Sequence, residues 1–327
     1  IQTTISGITI DDGGELKFGD PIDISYSYQY LLRCQGDINV NGKLTSNGKS
    51  KIEIESTLAD AEYGIIVSST GFLSWQGSSS NEKDAEITAV TKDGTKDGYI
   101  YLQDGAEAII KNAKISYMGT NASPKYGIYV YYVDGNVANE GLVIENSEIS
   151  NCYRGIHLEG GSYNIIYKNK IHSNTTEGIA HGTAGDNTLI AFNEIYNNGE
   201  EGIYTERDFE TIIGNIVHGN GQYAGIQSLG SSNVIYNNVV NGNIGSYGIW
   251  LNASTDNIVK NNIITNNNTG LQDDGTGTII DHNLFFGNTS DGSTGTNAIV
   301  GQDPLFVSTD PTSSDFMYLQ KDSPALG

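Results

Sequence analysis

A Gly-Ile or Gly-Leu pair returns at Gly127-Ile128, Gly155-Ile156, Gly178-Ile179, Gly202-Ile203, Gly225-Ile226, Gly248-Ile249 and Gly270-Leu271, in steps of 28, 23, 24, 23, 23 and 22 residues. A fixed period of this length marks a repeat architecture, in which each unit buries its apolar face only by stacking on its neighbours. A second register runs in phase, with Asn ahead of apolar residues: NSEI from Asn146, NKI from Asn169, NEI from Asn193, NIV from Asn215, NVV from Asn238, NII from Asn262 and NLF from Asn283. Each repeat therefore holds at least two short strands separated by Asn- or Gly-rich corners.

Segments of a few residues with alternating Ile and Val are too short for helices, and alternation sends every second side chain to one interior. A period near 23 without the L-x-x-L-x-L pattern of leucine-rich repeats points to an all-β fold, a right-handed parallel β-helix. Asn residues at equivalent corners are expected to stack as a hydrogen-bonded ladder from coil to coil.

Residues 127–288 resemble the right-handed parallel β-helix repeat family, which includes polysaccharide lyases, polygalacturonase-type hydrolases, uronan epimerases and surface proteins. The closing segment DPLFVSTDPTSSDFMYLQKDSPALG, from Asp303, resembles the end of many secreted β-helix proteins, which implies that the solenoid is capped there. Residues 1–125 repeat less regularly, but GITIDDGGELKF, GDINVNGKLTSNG and YGIIVSSTGFLSW alternate like strands. A single domain over 1–327 is expected: irregular, longer N-terminal coils (1–125), regular coils of about 23 residues (126–290) and a C-terminal capping segment (291–327).

The net charge of -22, from 39 acidic and 17 basic residues, disfavours a polyanionic partner such as nucleic acid. Abundant Gly and Tyr with scarce Lys and Arg suggest a secreted or cell-surface protein. Cys34 and Cys152 offer neither a disulfide framework nor metal-ligand spacing and read as small buried residues. No stretch is long and apolar enough to span a bilayer, and IQTTISGITI lacks a charged leader, so any signal peptide is expected to have been removed. A monomer is the expected state.

Aligned on the Gly-Ile pair, the next position should point outward: Tyr129, His157, Ala180, Tyr204, Gln227, Trp250 and Gln272. Two residues further lie Tyr131, Glu159, Gly182, Glu206, Leu229, Asn252 and Asp274. The row between should point inward, and His181 and Asp273 interrupt it.

His157 and Glu159 thus share one outer face with Tyr129, Tyr131, Tyr204, Glu206, Arg207 and Asp208, and Arg154 stands at the preceding corner. The resemblance implies that a substrate cleft runs along this face. Glycan hydrolysis needs a protonated carboxyl, a second carboxylate and aromatic rings to hold sugar faces. Glu159, Glu206 and Asp208 supply the first two, and Tyr129, Tyr131, Tyr204 and Trp250 the third. A uronan lyase would instead need a base and a cation at the uronate, for which His157, His181, Arg154 and Arg207 are the candidates.

The polygalacturonase set of Asn-Thr-Asp, Asp-Asp and Gly-His-Gly is not found, since the pairs Asp11-Asp12 and Asp273-Asp274 stand without the other two signatures, and the Arg-x-Pro-x-x-Arg of pectate lyases and the Asp-Pro-His-Asp of mannuronan epimerases are absent. No catalytic residue is carried over from those families. The first reading is a secreted polysaccharide-degrading enzyme, with hydrolysis ahead of β-elimination. The alternative is a non-catalytic polysaccharide-binding or surface-layer protein.

No cofactor is required by this chemistry. Calcium is the candidate cation, with Asp273 and Asp274, near Asp281, as weak ligands beside the simpler reading of an acidic turn. His172 and His218 are expected on the surface of a different sheet, beside Tyr196. Tyr26, Tyr28 and Tyr30 share one strand face, as a glycan platform or as packing for an N-terminal cap.

Overall fold

The computed structural model describes residues 2–18, 30–56, 62–79, 83–92, 98–135, 141–182 and 184–326. Three parallel sheets of 13, 12 and 11 strands run the length of the solenoid, and the chain visits the first, second and third in turn on each coil as far as Ile279–Asp281. The fold is the expected right-handed parallel β-helix, with three strands per coil. Tyr26 and Tyr28 lie outside the described residues.

The Ile-x-Ile triplets explain the short strands. In the second sheet Ile156 pairs with Ile179, His157 with Ala180 and Leu158 with His181, so like positions stack in register. Their inner side chains form one continuous core; Ile149, Ile171 and Ile195 in the first sheet, and Ile166, Ile190 and Ile212 in the third, are fully buried. The N-terminal coils obey the same register, Ile8 pairing with Ile38, Ile38 with Ile65 and Ile65 with Ile100, with longer corners between.

The expected ladder is present between the third and first sheets, and it begins at Asn169. The Asn169 Nδ2 donates to Asn193 Oδ1 at 3.0 Å, and the same bond links Asn193 to Asn215, Asn215 to Asn238, Asn238 to Asn262 and Asn262 to Asn283. Asn146 is not a member. Ser147 occupies the ladder position, its N–H donating to Asn169 Oδ1, while Asn146 turns the corner at φ 48°.

A second ladder, absent from the sequence expectations, runs up the corner before the second sheet through Asn174, Asn198, Asn220, Asn243, Asn267 and Asn288. It explains the Gly of the Gly-Ile pair. A Cβ at Gly178 would meet Asn198 Nδ2 at 2.8 Å and the Gly202 carbonyl oxygen at 2.7 Å. Each amide of these ladders satisfies a buried donor and acceptor that would otherwise cost roughly 1–3 kcal/mol to leave unpaired.

Strands continue through Ser290–Gly292 and Ile299–Val300, into the expected capping segment of 291–327, and the closing segment from Asp303 follows them. That segment then folds back along the outer face of the first sheet, with Phe316 packed 4.9 Å from the His218 ring. His218 was expected on the surface but is 9% exposed, covered by this return. His172, Tyr196 and His218 stack face to face at 4.6 and 5.0 Å. Cys34 and Cys152 are buried, their thiols donating to the Gly36 and Ser150 carbonyls.

Candidate active site on the second sheet

The second sheet's three-residue strands present one residue outward each, and that row is as the sequence predicted. What covers it differs along the solenoid. Tyr129 and His157 are only 4% and 5% exposed, because Tyr126 and Arg154 at the preceding corner fold over them. The Tyr126 ring lies 5.6 Å from Tyr129 and 5.0 Å from His157, and the Arg154 guanidinium sits 4.7 Å above Tyr126. Tyr129 and His157 are themselves stacked at 5.2 Å. Tyr129 was expected to hold a sugar; its ring is packing, and burial pushes its phenol up to about 12.

The His157 ring is held at both nitrogens, Nδ1 by Arg154 Nη1 at 2.9 Å and Nε2 by Glu159 Oε2 at 2.8 Å. A guanidinium has only donors, so Nδ1 accepts and the proton sits on Nε2. Burial, with Arg154 assisting, holds this imidazole below the usual histidine range against the pull of Glu159. His157 is therefore a neutral strut between Arg154 and Glu159, and its lone pair is not open to a substrate proton.

The residue immediately ahead of each Gly-Ile glycine forms another row: Arg154, Glu177, then Glu201. Arg154 Nε lies 2.8 Å from Glu177 Oε2 as an ion pair without hydrogen-bond alignment. Glu177, Glu200 and Glu201 bring carboxylate oxygens within 4.8 Å of one another. Glu201 is 4% exposed, and burial, reinforced by Glu177 and Glu200, pushes its carboxyl up to about 7. Burial and the Glu177 charge also raise Glu200. Neither residue was among the sequence candidates. Reading the row before the glycine, as well as those after it, would have found Glu201.

Glu201 lines a shallow cavity of about 260 Å³ with Tyr204, Tyr223, Gln227 and Trp250. Tyr204 and Trp250 thus stand where the sequence placed them, on the outer face. The Tyr204 hydroxyl donates to Glu206 Oε1 at 2.5 Å, and burial together with that bond raises the phenol. Glu159 and Glu206 share one row two coils apart. Gly182 lies between them, and a Cβ there would meet Glu159 Oε2 at 3.4 Å. The missing side chain leaves an open step in the carboxylate row, about 9.6 Å long at 4.8 Å per coil.

A larger cavity, about 310 Å³, lies against the C-terminal Pro324, Ala325 and Leu326, with His282 as its one titratable lining residue. The carboxyl raised toward neutrality, Glu201, lines the smaller cavity instead. Residues 70–224 and 183–303 match the family model described as right handed beta helix region. The chain belongs to that family. Among solved structures, a double mutant of the periplasmic alginate epimerase AlgG is 18% identical over 86% of this chain and 73% of that one, at a TM-score of 0.52. The unmutated AlgG is 17% identical over 90% and 84%, at 0.50. Pectate lyase Pel9A is 15% identical over 85% and 82%, at 0.43. At these identities the likeness is one of fold. No curated protein matches the sequence.

Several predicted residues leave the site of this β-helix. His181 points inward and is fully buried, with Nδ1 3.3 Å from the equally buried Glu210, so it cannot meet a glycan. Asp208 belongs to the turn after the second sheet, where Oδ1 accepts from the Ser231 N–H at 2.6 Å; sequence adjacency to Glu206 does not make it a catalytic partner. Arg207 lies in the same turn, its carbonyl accepting from Asn233 Nδ2 at 2.8 Å, and its Nε is buried without a hydrogen-bond partner among the described residues. Tyr131 is 39% exposed and packs edge-on against Tyr132.

The metal candidates are also displaced. Asp273 Oδ1 accepts from the Gly275 N–H and the Thr278 hydroxyl, while Asp274 accepts from Trp250 Nε1 at 2.8 Å and from Gln272. The hydrogen bonds from Trp250 and Gln272 hold Asp274 below the usual carboxylate range. Among the described residues, the three-carboxylate group is at Glu177, Glu200 and Glu201 instead.

Proposed function

We propose that this protein is a secreted polysaccharide-processing enzyme that hydrolyses a neutral glycan along the outer face of the second sheet. The observation that carries the reading is Glu201: a carboxyl titrating near 7, nearly buried, beside an aromatic-walled cavity. A general acid works best when its pKa lies near the operating pH, and Glu201 is poised to protonate a leaving glycosidic oxygen. Glu206, at the other end of the same strand and held by Tyr204, is the carboxylate that activates water. Tyr204, Tyr223 and Trp250 offer ring faces for pyranose C–H groups, and Glu159 on the shared row contacts the sugar one step along.

Hydrolysis is favoured over β-elimination by the state of Arg154, the cation beside Glu177. A lyase must neutralise a uronate carboxylate, but Arg154 is already engaged by His157 and Glu177. An anionic sugar entering here would face Glu159, Glu177, Glu200, Glu201 and Glu206. The epimerase and lyase likenesses agree with a polysaccharide as the class of substrate, and the site's charge supports a neutral one.

Mass analysis of products from a panel of neutral and uronic polysaccharides tests the reading. Fragments carrying one added water, lost in Glu201→Gln, are expected. Unsaturated ends would replace hydrolysis by elimination, and no product from any glycan would remove the enzymatic reading.

A further inference from the structure

The turn leaving the second sheet repeats on every coil, held by a ladder in which a side chain caps the backbone N–H of the next coil. Asp134 accepts from Ser162 N–H, Ser162 from Asp186, Asp186 from Asp208 and Asp208 from Ser231. Thr255 extends the ladder by donating its N–H to Ser231 Oγ, and from Ser162 onward the residue after each ladder position takes a left-handed backbone: Tyr163 at φ 59°, Asn187 at 64°, Phe209 at 58°, Ser232 at 58° and Asp256 at 56°. Asn, Asp and small polar residues suit this conformation, whereas bulky rings there are outliers that point to a role outside folding.

The two rings are also unsupported. Tyr163 is 44% and Phe209 55% exposed, and neither contacts another aromatic ring among the described residues. They stand two coils apart, about 9.6 Å, with the amide of Asn187 between them. One coil before Tyr163, Tyr131 and Tyr132 add a pair of rings, each 39% exposed, with Tyr132 also left-handed at φ 52°. The turns carrying Tyr163 and Phe209 begin at Glu159 and Glu206, so this edge runs parallel to the carboxylate row.

We propose that this edge is a second glycan-binding surface, a rail on which Tyr163 and Phe209 hold the same neutral polysaccharide chain that the carboxylate row processes. The inference rests on the proposed substrate class. Spaced rings with an amide between them match the alternating C–H faces and hydroxyls of a neutral sugar chain. The net charge of -22 turns away the polyanions that would otherwise compete.

The test uses Tyr163→Asn and Phe209→Asn together, the residue that Asn187 already supplies in the intervening coil. Retention in native gels containing hydroxyethyl cellulose, mixed-linkage β-glucan or polygalacturonate is compared with the parent, alongside thermal melting and product analysis. Expected are at least a tenfold loss of affinity for a neutral glycan and a melting temperature equal to or above the parent's. Unchanged retention, parental binding only to polygalacturonate, or no parental binding at all would overturn the rail. A parent that yields no products but loses retention in the double variant would keep the rail and remove the hydrolase.

Discussion

Arg154 Nη1 lies 2.9 Å from His157 Nδ1, a contact that fixes the tautomer of the imidazole and with it the direction of the hydrogen bond to Glu159. Replacing Arg154 with Met should let His157 titrate at a higher pH, since a neighbouring positive charge that opposes protonation is lost. Imidazole NMR through a pH series reads this directly; an unaltered titration would mean that Arg154 does not control the ring. In the parent the depressed value makes the unfolded chain bind the extra proton first, so this contribution to stability is present above the unfolded pKa of about 6.5 and is lost as pH falls through the folded value.

Glu201→Gln should separate stability from activity. The Glu201 pKa of about 7 lies above its ordinary 4.5, so its contribution to stability is full below pH 4.5 and fades as pH rises through 7. Removing the charge should therefore stabilise the protein at pH 8, by up to about 3 kcal/mol, while lowering turnover on the order of 10²–10⁴-fold. Denaturant melts at pH 5 and pH 8 give the first number and product assays the second. A variant less stable at pH 8 would refute the electrostatic account.

The proposed hydrolysis requires no metal, so chelator should leave turnover unchanged. Activity lost on chelation and restored by calcium would instead make Glu177, Glu200 and Glu201 ligands, and Glu201 would no longer be the acid.

The interior pair offers an independent check of the fold. Glu210 sits where Asn233 and Asn257 sit on following coils, and its Oε1 accepts from the Thr188 N–H. Glu210→Ala should cost roughly 3–5 kcal/mol by leaving His181 and that N–H unpaired, whereas Glu210→Asn with His181→Thr should be tolerated. Equal losses in both variants, measured by denaturant melts, would count against Glu210 as the cap of the Thr188 N–H.

Asn215→Ala interrupts the ladder from Asn169 to Asn283 near its middle. It should lower stability by roughly 2–3 kcal/mol, because the Asn193 N–H loses its acceptor inside the corner. Asn146→Ala, outside the ladder, should have a much smaller effect.

The Gly-Ile period carried the register, the inward row and the outward row, because stacking makes like positions neighbours. One ladder was legible from Asn ahead of apolar residues. The other was hidden, although each member follows the first by five residues, as Asn174 follows Asn169. Side-chain direction at turns was not legible. Asp208 follows Glu206 closely yet caps a backbone N–H, and Tyr129 faces outward yet is roofed by Tyr126 and Arg154. Glu201 escaped notice because its acidity is a collective property of residues from two coils, which no single strand displays.

The empty step at Gly182 makes the molecule a ruler. Because coils are pinned at one spacing, the interval between Glu159 and Glu206 can change only by whole coils. Inserting or deleting one complete repeat between them would reset the reach of the site in a single quantum, leaving every strand pairing elsewhere as it was.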